Sequence, residues 1–283
     1  MTAPFFVDHA LSSRLEAVEA AQLAGLVGAV SARLPERRAA ALFVGGGVAA
    51  FIGSNISTSR AAGLGMSGPV EDGDLVALVD FYRSREAPAR ILVSPFAHES
   101  LLARLGEHGF RLVALDTILV RRLDLDPAEI FAAAAVGVTV RAAALEDATT
   151  WVEASLSGFG AWGHPPTPAM TARAAAFHAG FEASFEGPES TYYLGSAGGI
   201  LAGAAALDVR GGAGYFFAAS TLEAQRGRGV QRALILARLV AARAAGCDLV
   251  FTGTAPGGAS QRNFELLGFA PGYSQALLHR GFS

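Results

Sequence analysis

The chain has a single cysteine in 283 residues, Cys247, so it can form no internal disulfide, and the surrounding AAGCDLVF reads as the buried start of a strand. It has no excess of either charge: 22 Lys plus Arg stand against 25 Asp plus Glu, a formal charge of −3. No global field therefore draws it to nucleic acid or to an anionic membrane, and any anion site has to be local. Long apolar runs are missing too. The most lipid-like stretch, AAALFVGGGVAAFIG (39–53), is broken by Gly45, Gly46 and Gly47 and falls short of the ~20 residues a bilayer span needs, so a β-hairpin is expected there. The opening MTAPFFVDHALSSRLEAVEAA has no basic n-region and meets acids before any signal-length apolar stretch, which gives a cytoplasmic expectation. The six histidines show no metal-ligand spacing, so no metal is expected. GxxxxGK[ST] and GxSxG are both absent, which removes a P-loop and a nucleophile elbow. The sequon at Asn55 means nothing in the cytoplasm.

What is present is 52% apolar residues in a chain long enough for two cores. Sliding the chain against itself so that Gly109 meets Gly268 lays LLARLGEHGFRL (101–112) over SQRNFELLGFAP (260–271). The same register lays the strand-like ARILVSP (89–95) over DLVFTGT (248–254), and the helical 74–85 over 233–244. Order and spacing of elements, rather than identity, carry this repeat. The boundary falls in LDLDPAEIFAAAAVG (123–137), around Pro127, which gives expected domains of 1–125 and 136–283. The second half reads as a strand at 138–141, helices at 145–156 and 168–184, strands at 191–197, 200–209 and 214–221, a helix at 228–245, then strand, helix and strand. Strands and helices mix without strict alternation, so the fold class is α/β with mixed rather than purely parallel sheets. Helix 228–245 carries apolar residues on most sides and is expected to be buried on more than one.

Between the last of the three strands and that helix lies QRGRGV (225–230). The first N–H groups of a helix have no intrahelical acceptor and carry the positive end of its dipole. Gly227 and Gly229 leave those amides unshielded, while Arg226, Arg228 and Arg232 add charge, so the pattern suits a phosphate. A Rossmann fingerprint fails, because Arg232 stands where a small residue must pack and Asp248 begins a strand instead of ending one.

The segment resembles the acetyl-CoA loop of the GNAT superfamily of N-acetyltransferases, [RQ]xxGx[GA], at Arg226 and Gly229, and departs from it at Gln231, where a small residue is usual. SQRNFELLGF resembles the helix and glycine-aromatic turn that close such domains, and VRAAALEDA (140–148) resembles their opening, so the likeness covers about 136–283. It implies two tandem GNAT-like domains, each a mixed central sheet flanked by helices, with an acyl-CoA site in the second. By this resemblance Ala219, Ser220 and Thr221 bond the pantetheine arm through their backbone, and Arg226, Gly227, Arg228, Gly229, Val230 and Gln231 hold the pyrophosphate. Asn263 is a further candidate contact. In the first half the equivalent loop is MSGPVE (66–71): Pro69 deletes an N–H, and Glu71 and Asp72 put negative charge beside any phosphate, so that copy is expected to be degenerate, and Gly68→Asp silent toward coenzyme A.

The usual acid of this family, a tyrosine four residues before the closing glycine, is Phe264 here, which leaves Tyr273, Ser260 or water to protonate the leaving thiolate. Gly257 stands where the family often has an asparagine. Glu153, His164, His178 and Glu182 are weak candidate bases, read in the first place as surface or pocket-wall residues, and Phe159, Trp162 and His164 suit a substrate-lining loop or, equally, a plain inter-helix connection with one buried Trp. The expected activity is transfer of an acetyl group from acetyl-CoA to an amine of a small molecule, by a monomer or homodimer; a non-enzymatic acyl-CoA sensor is the alternative.

Overall fold

The computed structural model describes residues 6–53, 58–123, 137–158, 185 and 189–282. They group into two compact units, Met1–Ile118 with Pro271–Ser283, and Leu119–Ala270. The expected halves, 1–125 and 136–283, differ from this at two places: the residues from Leu119 to Leu123 fall in the second unit, and the end of the chain falls in the first. The closing strand groups with the first unit because it ladders onto a strand of that unit, as set out below.

In the first unit a long helix, α1 (His9–Arg33), starts at Asp8, whose Oδ1 accepts the Leu11 N–H at 2.8 Å. It is the one described helix with the length and apolarity to cross a bilayer, and half of its most apolar window is buried within the protein, as in a core helix. Two strands follow, β1 (Ala40–Val44) and β2 (Gly47–Phe51), antiparallel with Val44 opposite Gly47. Gly45 and Gly46 between them have φ of 57° and 78°, the pair of left-handed residues that a two-residue hairpin turn requires. The glycines that rule out a membrane span thus make the expected hairpin. The unit continues through β3 (Ala61–Ala62), α2 (Asp72–Arg83), β4 (Ala89–Val93), α3 (Glu99–Glu107) and β5 (Arg111–Arg122), within which the chain passes to the second unit. Its sheet runs β1-β2-β3-β4-β11, where β11 (Ala270–Arg280) closes the chain and pairs antiparallel with β4 from Ala276 opposite Val93 to Arg280 opposite Ala89. That ladder fixes the strand in the first unit.

The second unit holds β6 (Val138–Ala142), α4 (Ala148–Gly158), β7 (Ser190–Ala197), β8 (Ile200–Arg210), β9 (Ala213–Thr221), α5 (Val230–Ala244), β10 (Leu249–Thr254) and α6 (Ala259–Glu265). Its strands run β10-β9-β8-β7-β6, all antiparallel except the β9–β10 pair, so the sheet is mixed as expected. Glycine pairs 198–199 and 211–212 repeat the hairpin device of the first unit. The repeat read from sequence is a repeat of order: α2, β4, α3, β5 in one stretch, and α5, β10, α6, β11 in the other.

Helix α5 buries Val230, Ala233, Leu234, Ile235, Leu236, Leu239 and Ala242, which accounts for its apolar character on most sides. It also buries Arg238 completely. The guanidinium donates from Nε to the Leu234 carbonyl at 3.0 Å and from Nη1 to the Ala206 carbonyl at 3.1 Å, and lies 4.4 Å from the centre of the Phe216 ring. Burial pulls its pKa down to about 9, and Nη2 has no partner among the described residues. A buried cation so placed is a net burden when an apolar chain of like length can fill the space. Arg238→Met should therefore be neutral or up to about 1 kcal/mol more stable in urea unfolding, whereas Arg238→Ala, which leaves a cavity, should lose about 2 kcal/mol or more.

Candidate functional site

The site is built where two parallel strands part. β9 and β10 pair at Ala213–Leu249, Gly214–Val250 and Tyr215–Phe251, and the pairing then stops although both strands run on, β9 to Thr221 and β10 to Thr254. At the point of parting a side chain takes over: Thr252 Oγ1 donates to the Phe216 carbonyl at 2.8 Å. On its other edge β9 stays paired with β8, but with one residue too many: Phe217 faces Ala206 and Ser220 faces Ala204. The extra residue is a bulge at Ala218, whose φ is 48°. Helix α4 holds the bulge in place. Trp151 Nε1 donates to the Ala205 carbonyl at 3.0 Å, Ser155 Oγ to that of Ala218 at 3.4 Å, and Ser220 Oγ to that of Ala154 at 2.7 Å. A bulge sharpens local twist, so it swings the end of β9 away from β10 and leaves the main-chain groups of residues 217–221 without a partner strand on that edge.

β9 leads into a 3-10 turn at Glu223–Gln225 and then into α5. Residues 226–229 are exposed, and Gly229 is the N-cap with φ 79° and ψ 10°, a left-handed conformation natural to glycine. Gly227 is also left-handed, at φ 77°, and a Cβ placed on it would meet no atom within 4 Å. The mouth of α5 is thus open, ringed by exposed Arg226, Arg228 and Arg232, with Arg228 Nη1 3.2 Å from Gln225 Oε1. Val230 differs from its neighbours: its side chain is buried, so close to the β8 strand that a Cβ on Gly203 would lie 3.1 Å from Val230 Cγ1. Only its main chain can face the mouth. Ala219 and Thr221 are half-buried, and the Ser220 hydroxyl is already committed to α4, so these three offer backbone rather than side chains.

Three of the residues singled out in the sequence come together. Asn263 Nδ2 donates to Gln231 Oε1 at 2.7 Å, and Gln231 Nε2 donates to Ser260 Oγ at 2.9 Å. Phe264 sits in the core, packed edge-to-face on Phe269 with centroids 4.8 Å apart. Glu153 is exposed on α4. Phe159, Trp162, His164, His178 and Glu182 lie outside the described residues. Among the described residues no three His, Cys, Asp or Glu side chains converge as a metal site would need.

Tyr273 falls in the first unit. Its hydroxyl donates to Glu16 Oε1 at 2.8 Å and its ring meets Phe96 edge-on, with centroids 5.8 Å apart. Burial, and then the Glu16 carboxylate, push the phenol pKa up. Gln275 Nε2 donates both to Glu16 Oε1 at 3.0 Å and to Glu19 Oε2 at 3.1 Å, and Arg60 pairs with Glu19 at 2.8 Å. In that unit the loop equivalent to the α5 mouth closes on itself. The Val70 N–H donates to Ser100 Oγ at 2.9 Å, the Glu71 N–H to Asp74 Oδ2 at 2.9 Å, and the Asp72 carboxylate pairs with His108 at 2.7 Å.

Sequence reading missed Thr254, a buried hydroxyl two residues beyond Thr252 that has no partner among the described residues. The signal was there: threonines at alternate positions of an otherwise apolar strand, DLVFTGT, point to the same face. It also missed Glu16 and Glu19, whose partners on β11 are some 250 residues away in sequence.

No protein-family model and no curated protein sequence matches the chain. Solved structures do. A protein described as a GCN5-related N-acetyltransferase from Kribbella flavida superposes with a TM-score of 0.61 at 19% identity, over 96% of each chain. A GCN5-related N-acetyltransferase from Sphaerobacter thermophilus gives 0.51 at 19% identity, over 70% of this chain and 62% of its own. A tandem GNAT protein from the clavulanic acid biosynthesis pathway gives 0.51 at 18% identity, over 71% and 67%. At such identities the likeness shows the fold alone, and that fold is the GNAT fold expected from the loop.

Proposed function

We propose that the second unit binds an acyl-CoA, acetyl-CoA in the first place, and serves acetyl transfer to the amine of a small molecule. The observation that carries this is the continuity of two features: a strand edge left unpaired by the Ala218 bulge, running into a helix mouth with left-handed Gly227 and Gly229 and three arginines. Pantetheine is an amide chain and can pair with a strand edge as a peptide does; the diphosphate that follows it matches bare helical N–H groups. The residues present fit the group: Gly227 leaves open space where a Cβ would project, and residues 226–229 are exposed. The fold is shared with proteins described as N-acetyltransferases, which supports the reading.

Bound acyl-CoA supplies the thioester that a neutral amine attacks. The protein's part is then to align the arm along residues 219–221, to anchor the phosphates at 226–231, and to offer a proton to the thiolate. A thiol of pKa ~8.5 leaves readily, so an acid assists without being indispensable. Of the two residues suggested by sequence, Ser260 is favoured here. Its Oγ accepts from Gln231, so its own proton remains to be donated, whereas Tyr273 already donates to Glu16. The loop of the first unit, with its amides answered by its own Ser100 and Asp74, is read as the degenerate copy.

A second reading, a non-enzymatic acyl-CoA sensor, is favoured by one observation: Phe264 is locked in the core, where the usual acid would stand. Incubation with acetyl-CoA and a pool of small amines, followed by a thiol reagent, separates the two. Release of free coenzyme A above the amine-free control is the expected result. A rise in melting temperature without release supports the sensor, and no binding at all overturns both.

A further inference from the structure

β9 is followed by α5 and β10 by α6, and the two strands are parallel neighbours that separate after Tyr215 and Phe251. The first turns of α5 and α6 therefore stand on the two sides of the opening between those strands. A chain of side chains links them. Asn263 donates to one end of the Gln231 carboxamide and Ser260 accepts from the other, at 2.7 and 2.9 Å. With both ends engaged the carboxamide has one orientation, Oε1 toward Asn263 and Nε2 toward Ser260. Gln231 is the second residue of α5, next to the amides at its mouth, and its side chain is half-buried rather than loose in water.

We propose that Gln231 is the residue that sets affinity at this site: a crossbar over the mouth, which has to leave Ser260 and Asn263 before a diphosphate can settle on the first amides of α5. The proposal rests on the acyl-CoA reading above. Its physical content is a competition. The amides at the mouth attract an anion, and the crossbar holds a neutral, self-satisfied carboxamide in the approach. Releasing it breaks two protein hydrogen bonds that water only partly replaces. A short side chain at this position would leave the approach clear. The three residues also act as one unit, because Ser260 and Asn263 influence the affinity for the diphosphate through the bar.

The test is calorimetric titration of coenzyme A into the full chain and its variants, with circular dichroism and melting temperature as checks on folding. Gln231→Ala should bind about tenfold more tightly than the unsubstituted chain. Ser260→Ala and Asn263→Ala each remove one anchor of the bar and should each tighten binding about threefold. Unchanged or weaker binding by Gln231→Ala overturns the crossbar while leaving the acyl-CoA reading intact. Weaker binding by Ser260→Ala or Asn263→Ala does the same, because it makes those side chains direct holders of the ligand's diphosphate rather than anchors of the bar. These two are conservative changes on a short surface helix, so the proposal stays testable if Gln231→Ala folds poorly. If the unsubstituted chain binds nothing but Gln231→Ala does, the bar is confirmed in its strongest form. If no variant binds, the acyl-CoA reading falls, and the crossbar with it.

Discussion

Gly229→Asp should lose at least about a hundredfold in coenzyme A affinity while keeping its fold. The substituted carboxylate would stand at the N-cap of α5, beside the amides proposed to hold the phosphates. Two like charges about 4 Å apart at an effective dielectric near 20 repel by roughly 4 kcal/mol, which exceeds the 2.7 kcal/mol or so that a hundredfold loss requires. Asp is also among the side chains that tolerate the left-handed φ of 79° found at Gly229, so the strain is about 1 kcal/mol and the second unit should survive it. Titration calorimetry reads the affinity and a melting curve reads the fold. The control belongs in the first unit. In the sequence register Gly229 falls on Val70, and the glycine of that loop, Gly68, falls under Gly227; Gly68 has φ 150°, so any side chain there is strained and a stability loss would blur the comparison. Gly73 is cleaner: it lies in the first turn of α2, its φ is ordinary, and a Cβ on it meets nothing within 4 Å. Gly73→Asp should leave coenzyme A binding unchanged. Equal affinity for Gly229→Asp and the unsubstituted chain would reduce the arginine-ringed mouth to an ordinary helix start.

The second large effect concerns stability and pH. Glu16 is 1% exposed and its pKa is raised from 4.5 to about 7, first by burial and next by Glu19; the hydrogen bonds from Tyr273 and Gln275 pull the other way. Arg60 and Asp116 face the same cluster, and Asp116 is itself raised by burial. Because the folded state holds the Glu16 proton more tightly than the unfolded state, the protonated carboxyl contributes stability that is fully present below pH 4.5. That contribution is lost as pH rises through about 7, and the loss amounts to about 3 kcal/mol. Glu16→Gln keeps an oxygen to accept from Tyr273 and Gln275 but cannot ionise. Urea unfolding at a series of pH values should show the unsubstituted chain losing that stability relative to the variant between pH 4.5 and 7, with the difference constant above pH 8. Asp116 is common to both chains and cancels in the difference. Parallel curves for the two proteins would mean that Glu16 stays ionised in the folded state.

Much of this fold follows from local chemistry. Paired glycines at 45–46, 198–199 and 211–212 made three hairpins where strands were expected around them. The α5 helix begins within two residues of its expected start, because bare amides beside Gly229 are a feature of adjacent residues. Helix α1 was less legible, since its buried face carries a polar stripe, Ser12, Glu16 and Glu19, that breaks the apolar periodicity by which helices are recognised. The same stripe makes sense only once Ser94, Tyr273, Gln275 and Arg60 are opposite it.

By itself, then, the sequence determined the turns, the helix mouth at 226–231, the order of elements in its two stretches and the charge that surrounds a possible phosphate, since each depends on residues within one or two turns of each other. The tertiary structure alone decided that β11 ladders onto β4, that β9 bulges at Ala218 and parts from β10, that Gln231 is held between Ser260 and Asn263, and that Tyr273 donates to Glu16. The side-chain hydrogen bonds among those outcomes join residues from 29 to 257 positions apart, and which of many long-range partners meet is fixed by the packing of whole helices and strands, a quantity no short window of residues contains.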